Sequence, residues 1–296
     1  MVTSSQSKKI LLTVDVEDWF QVENFKGCIS FREWNSHALR VDKNLHTLLD
    51  LMDSCGFRHE KNGSEGQATF FVLGWVAAKR PDLVREIHCR GYEIASHGFY
   101  HNLCFNEDRE CLRNDLVSSR KLLEDIIGGA VTGYRAPSFS INGEVLNLVQ
   151  ECGYLYDSSY NSFSLNSRYG DLDLSDLPKR GIAYRVSENF YEIPVSNIHL
   201  GRYVLPWGGG GYFRLLPTRL YTQGVRHLLK KNDAVVFYLH PWELDPEQPR
   251  VSDISLSHRF RHYVNLNRTA VKLQTFIQSF KDCRFGSCAD YLSVAA

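Results

Sequence analysis

The sequence predicts an α/β fold in which a parallel β-sheet is flanked by helices and is either open or closed into a barrel. Two observations lead to this prediction. Short apolar runs typical of strands alternate with amphipathic helical periods along most of the chain. No internal repeat, low-complexity tract or linker rich in Pro, Gly or Ser divides the chain. A length of 296 residues allows two domains, but single α/β barrels routinely reach this size.

The predicted strands are short runs rich in β-branched and aromatic residues. Such runs are typical of strands buried on both faces of a parallel sheet. They cover residues 9–16, 68–73, 92–96, 131–135, 190–195 and 234–240.

Helical periods lie between these runs. Leucines and a methionine recur at i, i+3, i+4 and i+7 from Leu45 to Met52, and Gly56 follows as a stop signal. A second helix is predicted from Pro81 to the residues before Gly91. Further helices are predicted over 106–127, 142–152, 217–231 and around 273–280. The intervening stretches 160–189, 200–216 and 241–266 are predicted to be long loop excursions, which on a compact domain usually shape a site.

Composition excludes several classes of protein. The 34 basic residues balance 34 acidic ones, which argues against a nucleic-acid binder. The apolar run that starts at Ile10 is interrupted by Asp15, so it is too short for a signal peptide or a membrane span. We therefore expect a cytoplasmic protein without a transmembrane segment, and we expect its eight cysteines to be free, buried thiols of a reducing compartment.

An acidic cluster follows the first predicted strand. Asp15 and Glu17 share one side of the strand by its two-residue period, and Asp18 lies at or past its end. Three carboxylates in four residues repel one another unless a cation or a proton intervenes. The alternative interpretation is a solvated turn between strand and loop, and that interpretation is favoured for such a cluster in isolation.

Histidines follow two other predicted strands. His97 and His101 are four residues apart, so that both imidazoles can bind one metal ion. His240 ends the run 234–240 and suits general acid catalysis, because its ordinary pKa of about 6.5 is readily tuned. Ordinary surface or core histidines, or a histidine bonded to backbone carbonyls, are the alternatives. The position of all three at strand ends favours a shared site, because active sites of parallel sheets gather at that edge.

Two further segments lie near these strand ends. Arg135 ends the run 131–135 and can orient a buried carboxylate, although a surface salt bridge is the alternative. The four glycines at 208–211 resemble a phosphate-binding loop only superficially, since no Lys-Ser or Lys-Thr follows. We expect a flexible or closely packed loop there.

In this order, the segments TVDVEDW, ATFFVLGWVA, GYEIASHGFYH, GYRAPSFSI and YLHPWE resemble the polysaccharide deacetylase family, the nodulation-deacetylase homology domain of carbohydrate esterase family 4. Within it they look like the subgroup of exopolysaccharide loci with exosortase (PEP-CTERM) systems. The resemblance implies one catalytic domain over 1–296, with a core over about 9–245 and a C-terminal extension over 246–296. It implies a distorted (β/α) barrel of about seven parallel strands, with loop excursions over their carboxyl ends.

The resemblance also implies the site. The resemblance implies one divalent metal ion, expected to be zinc, that is held by a carboxylate together with His97 and His101. Asp15 looks like the catalytic base, Arg135 like the residue that orients it and His240 like the general acid.

The chain departs from the family pattern at several positions. Val16 replaces the second of two adjacent aspartates, so the carboxylate ligand is Glu17 or Asp18, and Glu17 is favoured because it shares the side of Asp15. Gly98 replaces a serine or threonine whose hydroxyl braces the histidine loop. Ser138 and Phe139 replace an aromatic residue and a glycine, which leaves the oxyanion donor open. Glu192 loosely matches a later acidic motif and is expected to pair with His240.

The resulting hypothesis is a metal-dependent hydrolase that removes N-acetyl groups from an amino-sugar polymer or its precursor in exopolysaccharide biosynthesis. An N-acetylated sugar is then the expected partner. In the cytoplasm it would be a lipid-linked or nucleotide-linked precursor at the inner membrane face. Two alternatives stay open: an allantoinase-like cyclic-amide hydrolase, sometimes without metal, and a non-catalytic glycan-binding module.

Overall fold

A computed structural model describes residues 8–57, 67–163 and 168–294 of the chain. Its strands, in chain order, are β1 (Lys9–Val16), β2 (Thr69–Val72), β3 (Glu93–Ser96), β4 (Gly133–Tyr134), β5 (Tyr156–Asp157), β6 (Lys179–Arg180), β7 (Ala183–Ser187), β8 (Phe190–Glu192), β9 (Asn197–Leu200), β10 (Tyr203–Pro206), β11 (Ala234–Leu239) and β12 (Arg284–Gly286). The helices are α1 (Val41–Ser54), α2 (Gly74–Lys79), α3 (Pro81–Cys89), α4 (Arg109–Ile127), α5 (Gly143–Glu151), α6 (Gly210–Leu215), α7 (Thr218–Lys231), α8 (Leu256–Tyr263), α9 (Leu266–Gln278) and α10 (Cys288–Val294).

One curled sheet carries the fold. Its strand order is β11-β1-β2-β3-β4-β5-β8-β7-β6, and β12 pairs with β1 as well. The seven strands from β11 to β8 are parallel, whereas β7 and β6 are added antiparallel at the far edge. Helices separate most of the parallel strands along the chain, although β6 and β7 stand between β5 and β8. This arrangement confirms the predicted α/β class and the distorted barrel of about seven parallel strands.

Irregular segments occupy the gap between β8 and β11. The Val236 N–H donates to Ser196 Oγ at 2.9 Å, and the Tyr238 N–H donates to the Gly208 carbonyl at 2.7 Å. Gly209 has a φ of 139°, and a Cβ there would lie 1.9 Å from the Tyr238 carbonyl oxygen. Only glycine allows this close approach to β11. The glycine-rich loop is therefore a packing element, in line with the closely packed alternative.

The apolar part of the barrel interior is filled partly by the C-terminal residues. Leu11, Phe71 and Val236 pack there with Cys288 and Tyr291 of α10. The N–H of Cys288 also donates to Thr69 Oγ1 at 2.8 Å. The end of the predicted C-terminal extension is thus built into the barrel core.

The predicted loop excursions contain regular structure, which corrects that expectation. The stretch 160–189 includes β6 and β7, 200–216 includes β10 and α6, and 241–266 includes α8. Residues 164–167 lie outside the described part. The two-residue turn between β9 and β10 places Gly201 at a φ of 59°. These elements were missed because they are short and lack a sustained apolar period.

The cysteines are unpaired, as expected, but not all of them are buried. Cys104 and Cys288 are buried, whereas Cys89 and Cys111 are exposed. Cys89 is the last residue of α3. In the ranges that the structure describes, no helix has both the length and the apolarity needed to cross a membrane.

Candidate active site

A cavity of about 770 Å³ opens at the carboxyl ends of the parallel strands. Asp15 at the end of β1, His97 after β3 and His240 after β11 all line it, together with Glu17 and His101. The parallel sheet brings these distant segments to one edge, as the sequence predicted. Arg135 follows β4 and lies fully buried beneath them.

Glu17, His97 and His101 form a cluster suited to a metal ion, called the ligand cluster below. One donor atom from each lies within 4.8 Å of the others, and all three residues are buried. The Trp242 indole N–H donates to Glu17 Oε1 at 3.1 Å, which directs Oε2 towards His101 Nε2, 2.7 Å away. His101 Nδ1 is a buried atom without a hydrogen-bond partner among the described residues. Two imidazoles and a carboxylate are a donor set that zinc accepts, so these residues fit a divalent ion.

The protonation states agree with this donor set. His97 Nδ1 lies 2.8 Å from the Arg135 carbonyl, so this nitrogen donates and Nε2 keeps its lone pair. Burial lowers the pKa of His97 to about 4, which keeps the ring neutral. Burial opposes ionisation of Glu17, but His101 and then His240 and His97 lower its pKa well below the usual range. A carboxylate and neutral imidazoles are the forms that bind metals.

The histidine loop is braced by Asp115 of α4. The Asp115 carboxylate accepts the N–H groups of Phe99 at 2.9 Å and Tyr100 at 3.0 Å. A Cβ on Gly98, whose φ is 68°, would lie 2.8 Å from Asp115 Oδ1. Gly98 therefore allows a carboxylate to brace the loop in place of the expected hydroxyl. His101 itself has a φ of 56°, a strained conformation that functional sites often retain.

Asp18 lies outside the ligand cluster, so the geometry separates the two carboxylates that the sequence left open. Its carboxylate accepts three backbone N–H groups, from Trp19 at 2.8 Å, Arg40 at 2.7 Å and Val41 at 3.0 Å. The latter two belong to the start of α1. Burial nevertheless raises the pKa of Asp18 to about 6. Asp18 fastens α1 to the strand end and is turned away from the histidines, whereas Glu17 faces them.

Arg135 holds Asp15 by a buried ion pair. Its Nη1 donates to Asp15 Oδ1 at 2.8 Å and to Thr13 Oγ1 at 2.8 Å, while Nε and Nη2 donate to Ser158. The guanidinium also lies 4.1 Å from the centre of the Phe71 ring. These contacts fix Arg135, and Arg135 binds Asp15 through Oδ1. The other carboxylate oxygen of Asp15, Oδ2, is therefore directed at the cavity.

Glu243 binds the edge of the His240 ring that faces away from the cavity. His240 Nδ1 donates to Glu243 Oε1 at 2.8 Å, and Arg214 Nε donates to Glu243 Oε2 at 2.5 Å. On the cavity side, His240 Nε2 lies 3.8 Å from Asp15 Oδ2 and 3.6 Å from Glu17 Oε1. Burial alone would lower its pKa, but the Glu243 hydrogen bond and the three carboxylates raise it to about 9. Burial also disfavours ionised Glu243, yet Arg214 and His240 lower its pKa to about 2.

Glu192 does not pair with His240, which corrects the expectation from the sequence. The carboxyl of Glu192 interacts instead with that of Asp157, and both are fully buried between β5 and β8. Burial, followed by the charge of Asp157, raises the pKa of Glu192 well above its usual range. Ser159 Oγ donates to Asp157 Oδ1 at 2.7 Å and accepts the N–H of Ala136 at 2.8 Å, so this pair supports the turn after Arg135.

Sequence reasoning missed Glu243, Arg214, Trp242 and Asp115 as site residues. Glu243 follows His240 by three residues in a turn, and this i, i+3 spacing was an available signal. Trp242 stacks on His240 with ring centres 5.1 Å apart, but a tryptophan in a short aromatic motif has no specific meaning. Arg214 and Asp115 lie on α6 and α4 and reach the site only through tertiary packing.

Residues 62–156 match the polysaccharide deacetylase family. The chain is similar to the polysaccharide deacetylase family over this segment. Residues 158–293 match a domain of unknown function, DUF3473. The two matched segments meet at Asp157 of β5, in the middle of one sheet.

Two relatives show the same similarity. The chain is 28% identical over 179 residues to a peptidoglycan deacetylase-like protein of Gibberella zeae, which is 58% of this chain and 50% of that protein. It is 31% identical over 90 residues to a peptidoglycan-N-acetylglucosamine deacetylase of Bacillus cereus, which is 30% of this chain and 42% of that protein. The chain thus spans half or less of the length of these two relatives.

Solved structures share the fold of this chain. A structure described as a putative polysaccharide deacetylase from Mycobacterium smegmatis aligns with a TM-score of 0.60 at 18% identity, covering 100% of this chain and 92% of that one. The Puue allantoinase aligns with a TM-score of 0.59 at 15% identity, covering 97% and 90%. At such identities the likeness concerns the fold alone.

Proposed function

We propose that this chain hydrolyses the N-acetyl groups of an amino-sugar polymer or its precursor, with one divalent ion held by Glu17, His97 and His101. The observation that carries the proposal is the convergence of three sets in one cavity. These sets are the ligand cluster, the Asp15–Arg135 pair and the His240–Glu243 pair. A divalent ion, with zinc expected, supplies Lewis-acid polarisation of water and of the acetamide carbonyl.

Asp15 is the base of this reaction. Arg135 donates to Oδ1 and thereby fixes the carboxylate, so that Oδ2 faces the cavity and accepts a proton from the attacking water. Full burial of Arg135 keeps this geometry in place through the reaction. Water adds to the acetamide carbon and the C–N bond breaks, which yields acetate and a free amine.

His240 is the acid that protonates the departing nitrogen. An amine anion is a poor leaving group, so the nitrogen must gain a proton as the C–N bond breaks. Glu243 binds Nδ1 and is itself held by Arg214, which favours the protonated ring and directs Nε2 into the cavity. The backbone N–H of Ser138, which lines the cavity in a turn of positive φ, is the proposed donor to the oxyanion.

The role in exopolysaccharide biosynthesis is a further part of the proposal. It rests on the resemblance of the quoted motifs to that subgroup, which also favours a sugar polymer over a small cyclic amide.

Acetate release from N-acetylglucosamine oligomers tests the proposal. With a divalent ion added, the wild-type chain should release acetate, and Asp15→Asn should release none although it still binds the ion. Allantoin serves as the small cyclic amide for comparison. Turnover of allantoin without release from any oligomer would show that the chain is a cyclic-amide hydrolase.

A further inference from the structure

One wall of the cavity carries basic side chains that the proposed reaction does not use. Arg168, His258 and Arg261 line this wall, which we call the basic wall. Arg168 Nη1 donates to Asn24 Oδ1 at 2.6 Å, and its Nη2 lies 3.2 Å from His258 Nε2. A guanidinium has no acceptor, so His258 Nε2 accepts this hydrogen bond. Arg168 is therefore held in place against the first turn of α8.

The basic groups stand close enough to act on one another. Burial, followed by the charges of Arg168 and Arg261, lowers the pKa of His258. Burial also lowers the pKa of Arg168, with Arg261 adding to the effect and Glu23 opposing it. Glu23 lines the same part of the cavity, but its Oε2 lies 3.0 Å from Lys26 Nζ. The side chains around this wall thus carry more positive than negative charge.

Aromatic rings lie beside the basic wall. Phe163 packs edge-on against Tyr212 with ring centres 6.0 Å apart and against Tyr169 at 6.4 Å. All three line the cavity and are only partly buried. Such rings offer an apolar surface on which the faces of sugar units can lie. A sugar chain that reaches from the ligand cluster across these rings would place its next units against the basic wall.

We propose that the basic wall binds an anionic oxygen group, a carboxylate or a phosphate, carried by the sugar chain near the acetylated unit. Two arginines match such groups, because guanidinium donors pair with them in a fixed fork. Arg168 is partly buried and less screened than a residue on an open surface, whereas Arg261 is exposed and adds a second positive charge. The substrate is then an acidic glycan or a phosphorylated precursor. This inference takes from the proposed function only that the acetamide of the sugar chain lies at the ligand cluster.

Equilibrium binding to the Asp15→Asn chain, measured by calorimetry, tests the inference without turnover. The probes are the neutral N-acetylglucosamine tetramer, the same tetramer with one terminal unit oxidised to a uronic acid, and the tetramer with a phosphate at its reducing end. At least one acidic probe should bind about tenfold more tightly than the neutral one, and the preference should weaken with salt. The probe with the larger gain identifies the group as carboxylate or phosphate.

Arginine variants in the same background assign the preference to the basic wall. Arg168→Gln with Arg261→Gln should remove the preference while binding of the neutral tetramer stays the same. Arg168→Lys with Arg261→Lys keeps both charges but not the guanidinium fork, so it should keep part of the preference. Unchanged binding of the neutral tetramer shows that the glutamine double variant folds. Arg259→Gln is the matched control, because Arg259 lies on α8 but outside the cavity.

Equal binding of all three probes, or a preference that survives in the glutamine double variant, would overturn the inference. The test also separates this inference from the proposed function. A wild-type chain that releases no acetate from any probe, while the acidic preference is present and lost in the double variant, contradicts the deacetylase activity and supports the basic wall.

Discussion

The indole of Trp242 donates its N–H to Glu17 Oε1 at 3.1 Å, and this contact sets which carboxylate oxygen faces the histidines. Trp242→Phe keeps an aromatic ring between His240 and His262 but removes the donor. A hydrogen bond to a charged acceptor contributes about 1.5–3 kcal/mol. Its loss should weaken metal affinity by about 10–100-fold, the range found when partners of metal ligands are removed. A titration of zinc against a competing chelator measures this affinity directly.

Trp207→Phe is the matched control for the same chemical change. Trp207 is buried, stacks on Tyr221 at 5.6 Å and donates its indole N–H to the Tyr221 carbonyl at 2.9 Å, away from the ligand cluster. Each tryptophan variant should lose about 1–3 kcal/mol of stability, since each leaves a buried acceptor without its donor. Only Trp242→Phe should change the zinc affinity. If both variants bind zinc like the wild type, Trp242 does not orient Glu17 and the reasoning is refuted.

Three further predictions concern groups around the site. Asp115→Asn leaves one acceptor for two N–H groups of the histidine loop, so zinc affinity should fall about tenfold. Asp125→Asn is the control, because Asp125 is exposed on the same helix, and its zinc affinity should stay that of the wild type. Glu192 has a raised pKa in the fold, so the folded state keeps a proton that the unfolded chain releases above about pH 4.5, and stability should fall as the pH rises from there. In Glu192→Gln, the melting temperature should vary less with pH between about pH 5 and pH 8 than in the wild type. A pH profile parallel to that of the wild type would contradict the raised pKa of Glu192. His240→Ala should slow cleavage of an acetamide far more than that of an activated acetate ester, whose leaving group needs no proton; equal losses would exclude the acid role.

Much of the parallel sheet was predictable from the sequence. Six of the seven parallel strands were predicted, with boundaries that differ from the observed ones by up to three residues. The exception, β5, has two residues, Tyr156 and Asp157, which is too short for any periodicity. β12 and α10 were missed as well, because their place beside β1 and inside the barrel depends on the rest of the fold.

The residues proposed for catalysis were found because each follows a predicted strand, and parallel strands end at one edge. Asp15, His97 and His240 thereby meet in one cavity. Spacing alone could not decide between Glu17 and Asp18, since only the tertiary structure shows Asp18 accepting N–H groups at the start of α1. The partner of His240 was wrongly expected to be Glu192, because the order of motifs does not show which of two buried carboxylates lies behind a histidine.

The metal content of the purified chain, measured beside Glu17→Gln and Asp18→Asn, tests the central claim most directly. After reconstitution with zinc, the wild type should hold about one ion per chain. Glu17→Gln should lose the ion, whereas Asp18→Asn should keep it and show only lower stability, because Asp18 binds backbone N–H groups. A wild-type chain that holds no ion, or an ion that survives Glu17→Gln and is lost in Asp18→Asn, would contradict the ligand cluster.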